Sequence, residues 1–292
     1  MRCEKNNAST FLRTLHPAAN LKTISISIMG ETTNIAVTTA VNQFMFSICT
    51  LVTNWEEYWL MRESFENRGF TDEHCEYLIA DNSNGNVFDA YTAINKFLSL
   101  SKATYTIVIH QDTECIDSFD MLLDVIKNLD AFDSNWAVCG NAGAIYPLNR
   151  FFYIKEFDLE RRQEGLPQRV ESLDENFLLV KNSARLSVSA DLRGFHLYGT
   201  DICMIAKFLG YTCYVIPFYI NHKSSGSYNN LYDDKDAFIK VYQHKFPAKV
   251  VRTPCLKFYL SNSPVKNKLY NSKLMFFWVK AFYKLKYKVT KR

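Results

Sequence analysis

Residues 104–117 read "TYTIVIHQDTECID" and join a strand-like run to a group of polar side chains. The run consists mainly of β-branched and aromatic residues, which favours a buried strand. His110, Gln111 and Asp112 follow at the point where such a strand ends. Ligands of open α/β sheets bind outside the carboxyl ends of the strands, so these three residues are candidates for a binding site.

Strands and helices alternate on both sides of this stretch. The segment "FMFSICT" from Phe44 predicts a strand, and "NWEEYWLMRESFENRG" predicts a helix that Asn54 caps and Gly69 ends. The strand "EYLIA" and the helix "VFDAYTAINKFLSLS" come before residue 104, and the helix "DSFDMLLDVIKNL" and the strand "WAVCG" come after it. This βαβ spacing predicts an α/β fold with a mostly parallel sheet that helices cover on both faces.

The chain divides into three parts by pattern. Residues 1–43 are weakly patterned and predict an N-terminal arm or an extra strand, residues 44–235 form the main domain, and residues 236–292 form a basic aromatic extension. The start of the chain contains no apolar signal core, and no apolar run approaches the ~20 residues of a membrane span. Eight cysteines without close pairing favour buried thiols in a reducing compartment. We therefore expect a cytoplasmic protein.

The charge is strongly asymmetric along the chain. Residues 237–292 contain 14 Lys or Arg and no acid, whereas residues 1–236 contain 20 basic and 30 acidic residues. In the final helix-like segment, apolar residues recur at helical spacing: Leu274, Trp278, Ala281, Phe282 and Leu285. A basic aromatic helix favours peripheral contact with anionic lipid at the inner face of the membrane, and a packing helix with outward lysines is the alternative. No nucleic-acid motif is present and the main domain is acidic, so we expect no nucleic-acid partner.

Polar residues also follow the two preceding strands. Thr50 and Asn54 lie at the end of the first strand, and Asp81 opens "DNSNGN" after the second. The glycine-rich loops of dinucleotide-binding folds and of P-loop proteins are absent. A strand-end carboxylate that holds a divalent cation can neutralise a diphosphate instead. The sequence therefore predicts a nucleotide site with a bound cation.

Several of these motifs together resemble a known family. The segments "ICTLVTNWEE" (48–57), "YLIADNSNGN" (77–86) and "AINKFLSLSKATYTIVIHQD" (93–112) resemble, in order and spacing, a GT-A fold glycosyltransferase of the family 2 type. The strand end "HQD" resembles a subgroup in which a histidine replaces the first acid of the metal-binding DXD motif. The segment "FHLYGTDICMIAKFLGYTCYVIPFYINHKSSGS" (195–227) resembles the acceptor-side helix, the next strand and the metal-side histidine of that family. The resemblance covers about residues 44–228.

This resemblance implies a Rossmann-like, nucleotide-diphospho-sugar transferase fold and an inverting hexosyltransferase. A sugar would pass from a nucleotide diphosphate sugar to a glycan or a lipid-linked acceptor. Asp112 and His222 would hold Mn²⁺ or Mg²⁺. Six residues at strand ends or on a helix would bind the nucleotide sugar: Thr50, Asn54, Asp81, Asn95, His110 and Gln111. Four of these assignments have alternatives. Asp81 can be a turn residue, and His110 can pack beneath the site. Asp112 can cap the following helix, for which Asp117 and Ser118 are better placed, and His222 can be structural.

The catalytic base is expected to be Asp201, the carboxylate that opens the helix in "GFHLYGTDI". In the family pattern an acidic "ED" pair supplies the base, and its positions hold Tyr198 and Gly199 here. Asp174 and His196 are the alternatives, and Asp201 could instead stabilise the helix dipole. Since the acidic pair is missing, a non-catalytic nucleotide- or sugar-binding module is the alternative function.

Overall fold

The structure is a computed structural model that describes residues 11–13, 22–24, 37–39, 43–147, 150–224, 229–243, 245 and 248–290. Within these ranges, the α-helices are α1 (Trp55–Glu66), α2 (Ala90–Leu100), α3 (Phe119–Phe132), α4 (Tyr198–Phe208), α5 (Leu231–Tyr242), α6 (Pro264–Tyr270) and α7 (Lys273–Thr290). The first nine strands are β1 (Phe11–Arg13), β2 (Lys22–Ile24), β3 (Val37–Thr39), β4 (Phe44–Val52), β5 (Cys75–Asp81), β6 (Ala103–Ile109), β7 (Thr113–Cys115), β8 (Trp136–Gly140) and β9 (Ala142–Ala144). The other strands are β10 (Arg150–Glu156), β11 (Leu159–Arg162), β12 (Gln168–Val170), β13 (Ser172–Leu173), β14 (Phe177–Lys181), β15 (Thr212–Val215), β16 (Ile220–His222), β17 (Lys249–Arg252) and β18 (Lys257–Leu260).

The central sheet has the strand order β1-β5-β4-β6-β14-β8-β15-β12. Strand β4 is parallel to β5 and to β6, and β15 is parallel to β8. Strand β14 lies antiparallel between β6 and β8, and the edge strands β1 and β12 are also antiparallel to their neighbours. The fold is therefore α/β, as the strand–helix alternation predicts, and five strands of the sheet share one direction.

Helices cover both faces of this sheet. Successive residues of β4 point to opposite faces, so Ile48 joins the cluster that packs against α1 and α3, and Cys49 joins the cluster that packs against α2 and α4. The predicted cap is present at Asn54, whose side-chain oxygen accepts the N–H of Glu56. Ser118 caps α3 in the same way by accepting the N–H of Met121.

A second sheet, ordered β13-β9-β10-β16-β7, lies at the carboxyl edge of the first. Strand β7 begins one residue after Asp112, and β16 ends at His222. The two strands are antiparallel with His222 opposite Thr113, and the N–H of Lys223 donates to the carbonyl of Asp112 at 2.9 Å. This pairing brings together two residues that are 110 positions apart in the chain.

The C-terminal part packs a helix against a hairpin. Strands β17 and β18 pair in an antiparallel hairpin, and α7 lies against both. The Tyr146 hydroxyl donates to the Lys280 carbonyl at 2.6 Å, and the Tyr283 hydroxyl donates to the Ala248 carbonyl at 3.0 Å. In the described part of the chain, no helix is both long and apolar enough to cross a membrane. Most of residues 1–43 lie outside the described residues, and the strand β1 within them pairs with β5.

Candidate active site

A cavity of about 470 Å³ opens at the carboxyl ends of β4 and β6. One wall carries His110, Gln111 and Asp112, together with His222 from the second sheet. Further walls come from residues 174–175, from the start of α4, and from the turn 253–255 between β17 and β18. The volume falls in the range of about 300–1,000 Å³ that small-molecule sites occupy. The cavity lies where the strand ends predict a ligand.

His110, Asp112 and His222 form a cluster with the spacing of metal ligands. One ligand atom from each residue lies within 4.8 Å of the other two. The Asp112 Oδ1 atom is 3.4 Å from His222 Nε2 and 3.9 Å from His110 Nδ1. His222 is 5% exposed, and its Nε2 atom makes no hydrogen bond of good geometry. A buried ring nitrogen that faces a carboxylate and has no hydrogen bond among the described residues fits a divalent cation, and the two imidazoles and the carboxylate form a possible metal site.

The hydrogen bonds around His110 are compatible with the tautomer that it needs as a ligand. The Tyr198 hydroxyl donates to the backbone carbonyl of Glu175 at 3.2 Å, so it can accept from His110 Nε2 at 3.0 Å. With the proton on Nε2, the lone pair of Nδ1 points towards Asp112. Metal-bound histidines generally donate their other ring N–H in this manner. His110, which the sequence places among the nucleotide-binding residues, is therefore a third candidate ligand.

The pKa shifts of the cluster follow from burial and from mutual charge. Burial raises the pKa of Asp112, but the adjacent side chains of His222, Ser224 and His110 outweigh it and leave this pKa well below its ordinary value. Burial lowers the pKa of His222, but Asp112 raises it to a net value above the ordinary one. Burial and then the neighbouring His222 lower the pKa of His110. The cluster therefore keeps an ionised carboxylate and one neutral imidazole near neutral pH.

Glu175 is a carboxyl on the cavity wall that the sequence did not single out. Its Oε1 atom accepts the N–H of Gly199, in the first turn of α4, at 3.3 Å. Burial and the neighbouring Asp174 raise the pKa of Glu175 from its ordinary value of 4.5 to about 8. A carboxyl with such a pKa is mostly protonated at neutral pH and becomes available as a general base as the pH approaches 8. In the segment "ESLDENF", Glu175 directly follows Asp174, one of the two alternative bases, so the sequence did point to this region.

The close approach of α4 to β13 depends on Gly199. A Cβ atom at this position would lie 2.5 Å from the carbonyl oxygen of Leu173 and 3.2 Å from its carbon, both backbone atoms. Real Cβ contacts are not that short, so any other residue would displace the start of α4. The glycine thus allows the helix N-terminus to reach the carboxylate of Glu175.

The structure shows that Asp201 is wrong as the catalytic base. Asp201 is fully buried and does not line the cavity. Its carboxylate accepts the Ser189 N–H and the Ser189 hydroxyl, each at 2.6 Å, and the Tyr242 hydroxyl. Every one of these partners belongs to the protein interior, so no acceptor hydroxyl can reach this carboxylate. Asp201 instead joins α4 to the segment around residue 189 and to α5.

The two alternatives, Asp174 and His196, both line the cavity. The Asp174 Oδ1 atom accepts the backbone N–H of Asn176 at 3.1 Å and its side-chain amide at 2.8 Å. His196 donates from Nε2 to the carbonyl of Asn229 at 2.8 Å. Each side chain is thus held by a neighbouring loop, and Glu175 is better placed to take a proton.

Gln111 connects the ends of β4 and β6. Its Oε1 atom accepts the N–H groups of Thr53 and Asn54, at 2.8 and 3.0 Å. Its Nε2 atom donates to the Thr53 hydroxyl and to Glu57 at 2.9 and 2.8 Å. Gln111 and Thr53 both line the cavity, whereas Asn54 is used as a helix cap. The glutamine therefore shapes this wall of the cavity.

Three other predicted nucleotide-binding residues do not line the cavity. The Asn95 side chain forms two hydrogen bonds with the backbone of Val188, which corrects its assignment to the nucleotide. Asp81 accepts the N–H of Ser83 at 2.9 Å, which is the turn role that was its alternative. Thr50 is 1% exposed within β4, so it cannot contact a ligand in this structure.

Comparison with known proteins identifies the family of this chain but not its activity. No family model matches the chain. A protein of Fuscovulum blasticum, described as "ATP synthase subunits region ORF 6", is 37% identical over 216 residues, which are 71% of this chain and 87% of that protein. This chain belongs to the same family. The description of that protein states no reaction, so the function has to be argued from the site.

Solved structures give weak likenesses. A197 from STIV has 12% sequence identity and a TM-score of 0.37 over 59% of this chain and 83% of its own. S. aureus TarS 1–349 has 12% identity and a TM-score of 0.40 over 68% of this chain and 64% of its own. The longer TarS chain has 11% identity and a TM-score of 0.41 over 70% of this chain and 41% of its own. Because all three scores are below 0.5, no conclusion about the site is drawn from them.

Proposed function

We propose that this protein is an inverting, metal-dependent glycosyltransferase of the GT-A type. It would transfer a sugar from a nucleotide diphosphate sugar to a glycan or a lipid-linked acceptor, at the cytoplasmic face of the membrane. One observation carries the proposal: the His110–Asp112–His222 cluster and the carboxyl of Glu175 line the same cavity at the carboxyl edge of the sheet. The resemblance of the "HQD" strand end to one subgroup of that family supports it.

The cluster would hold Mn²⁺ or Mg²⁺ through Asp112 Oδ1, His222 Nε2 and His110 Nδ1. When bound, the ion would neutralise the diphosphate that leaves the sugar. Tyr198 keeps the ring of His110 in the ligand tautomer, because its hydroxyl is itself fixed on the carbonyl of Glu175. Gln111 holds the adjacent strand end in place through four hydrogen bonds.

Glu175 would act as the general base. It would take the proton of the acceptor hydroxyl while that oxygen attacks the anomeric carbon. The bond between the anomeric carbon and the diphosphate oxygen breaks in the same step, so a single displacement inverts the configuration. A base with a pKa of about 8 is well matched to a proton transfer near neutral pH.

A binding module without catalysis is the second candidate, favoured by the missing acidic pair before α4. The position of Glu175 on the cavity wall, together with its raised pKa, favours the enzyme, because perturbed carboxyls in cavities are typical of catalytic sites. Release of a nucleoside diphosphate from a nucleotide sugar in the presence of acceptor would distinguish the enzyme from the module.

The proposal can be tested by thermal unfolding with UDP, GDP, CDP or ADP, each with and without Mn²⁺. We expect one nucleotide to stabilise the protein only when Mn²⁺ is present, by about 2.7 kcal/mol at a hundredfold excess over Kd. Asp112→Asn and His222→Gln should lose this effect. Asp124→Asn, an exposed change on α3, is the matched control and should keep it.

Two results would contradict the proposal. One is an equal stabilisation by nucleotide without metal, and the other is a full stabilisation of Asp112→Asn. Either would mean that the cluster does not bind the nucleotide through a cation.

A further inference from the structure

Helix α7 exposes an apolar stripe to solvent. Its members recur at intervals of one, three or four residues, and each is 63–85% exposed: Leu274, Phe277, Trp278, Phe282 and Leu285. The opposite side of the helix lies against the hairpin β17–β18 and is fixed by the hydrogen bonds at Lys280 and Tyr283. Within the described residues the stripe is therefore not part of the core, and its extent is unusual for a solvated surface.

A cluster of cations surrounds the same hairpin, and we call it the basic cluster: Arg150, Arg252, Lys257, Lys280 and Lys284. None of the five forms an ion pair with a carboxylate of the described residues. The Nε atom of Arg252 is buried and makes no hydrogen bond to the described part of the chain. Burial and then the charges of Arg252, Lys280, Lys284 and Arg150 lower the pKa of Lys257. Unneutralised cations in such proximity favour the binding of an anion.

The hairpin connects this basic surface to the cavity. Its turn, residues 253–255, lines the cavity, while its strands carry Arg252 and Lys257 and contact α7. Arg150 donates to the carbonyl of Pro254, within that turn, at 2.8 Å. The basic cluster thus lies around the hairpin that forms one edge of the cavity, and the apolar stripe lies on the outer side of the helix that packs on this hairpin.

We propose that α7 and the basic cluster dock onto an anionic lipid bilayer, with the apolar stripe below the headgroups and the basic cluster on their phosphates. Aromatic and aliphatic side chains beside lysines match the two layers of a membrane surface. A nucleic acid would bind the basic cluster through its phosphates but would leave the apolar stripe exposed to water. A second copy would bring this basic surface against its own counterpart, and segment 237–292 contains no acidic residue to offset the charge.

This docking has a consequence for the substrate that depends on the proposed function. An acceptor linked to lipid would reach the cavity from the leaflet on which α7 lies, past the turn 253–255. The docking itself requires no catalysis, so it can be measured independently of the reaction.

The test is sedimentation of the full chain with vesicles of phosphatidylcholine alone or mixed with phosphatidylglycerol. We expect binding to the anionic vesicles that weakens as salt increases. Lys257→Gln with Lys284→Gln should weaken binding about twenty-fivefold, at roughly fivefold for each charge. Trp278→Ser with Phe282→Ser should weaken it at least tenfold, because less apolar surface enters the lipid.

The control pair is Lys127→Gln with Phe132→Ser, which removes one exposed lysine and one exposed aromatic residue from α3 and should change nothing. All four altered residues of α7 and the hairpin are exposed, so these variants should fold. Wild-type binding by both double variants would overturn the proposal. If the wild type does not bind vesicles but forms a dimer that the Trp278→Ser, Phe282→Ser variant cannot form, the membrane proposal is overturned and the stripe binds a second copy. Vesicle binding with no nucleotide binding would uphold the docking and reject the proposed function.

Discussion

Replacement of Glu175 by Gln should make the protein more stable at high pH and almost inactive. The pKa of Glu175 rises from 4.5 to about 8 on folding, so the folded state binds a proton that the unfolded state releases. Stability from this group is fully present below pH 4.5 and is lost as the pH rises through 8. At 1.36 kcal/mol for each pKa unit the loss is at most about 5 kcal/mol, and access of cavity water reduces our expectation to about 2–3 kcal/mol.

The free energy of unfolding should therefore be measured by denaturant titration from pH 4 to pH 9 for the wild type and for Glu175→Gln. The variant cannot ionise here, so its advantage should grow from near zero at pH 4 to about 2–3 kcal/mol at pH 9. Glu73→Gln, an exposed change, is the control and should show no such trend. If the stability advantage of Glu175→Gln does not increase with pH, the raised pKa of Glu175 in the folded protein is refuted.

Turnover gives the second measurement on the same variant. Loss of a general base lowers the rate by about 10²–10⁴-fold, so Glu175→Gln should fall by that factor while nucleotide binding is kept. The wild-type rate should rise with pH up to about 8 as Glu175 loses its proton. A variant that turns over at the wild-type rate would show that Glu175 is not the base.

Two further changes separate structure from chemistry. Asp201→Asn should lower the free energy of unfolding by about 2–4 kcal/mol, because it weakens the buried hydrogen bonds to Ser189 and Tyr242. Turnover normalised to the amount of folded protein should stay within a few-fold of the wild type. A loss of turnover as large as that of Glu175→Gln would restore Asp201 as the base. Gly199→Ala should lower the free energy of unfolding by about 1–3 kcal/mol and should also lower turnover, because its Cβ would push α4 away from Leu173 and Glu175. If thermal unfolding and turnover are both unchanged, this close approach is not required.

The sequence predicted the parts of the fold that local pattern controls. Alternation of strand and helix gave the α/β class, and a cap at Asn54 marked the start of α1. Asp112 and His222 were both proposed as ligands, and β7 and β16 bring them within 3.4 Å. These features depend on hydrophobic period and on residues at strand ends, which are visible within short windows.

The errors arose where a distant partner decides the role of a residue. Asp201 begins a helix at the edge of the site, but its partner Tyr242 lies 41 residues later on α5, and nothing near Asp201 in the sequence shows this. Asn95 is taken by the backbone of Val188, 93 residues away. Glu175 reaches α4 because β14 inserts antiparallel between β6 and β8, and a βαβ pattern gives no sign of that reversal.

The most direct measurement is the anomalous diffraction of Mn²⁺ in crystals grown with the stabilising nucleoside diphosphate. The account predicts a peak in contact with Asp112 Oδ1, His222 Nε2 and His110 Nδ1, with the diphosphate oxygens completing the coordination. Nucleotide bound in the cavity with no manganese at these three atoms, or manganese held elsewhere, would contradict it.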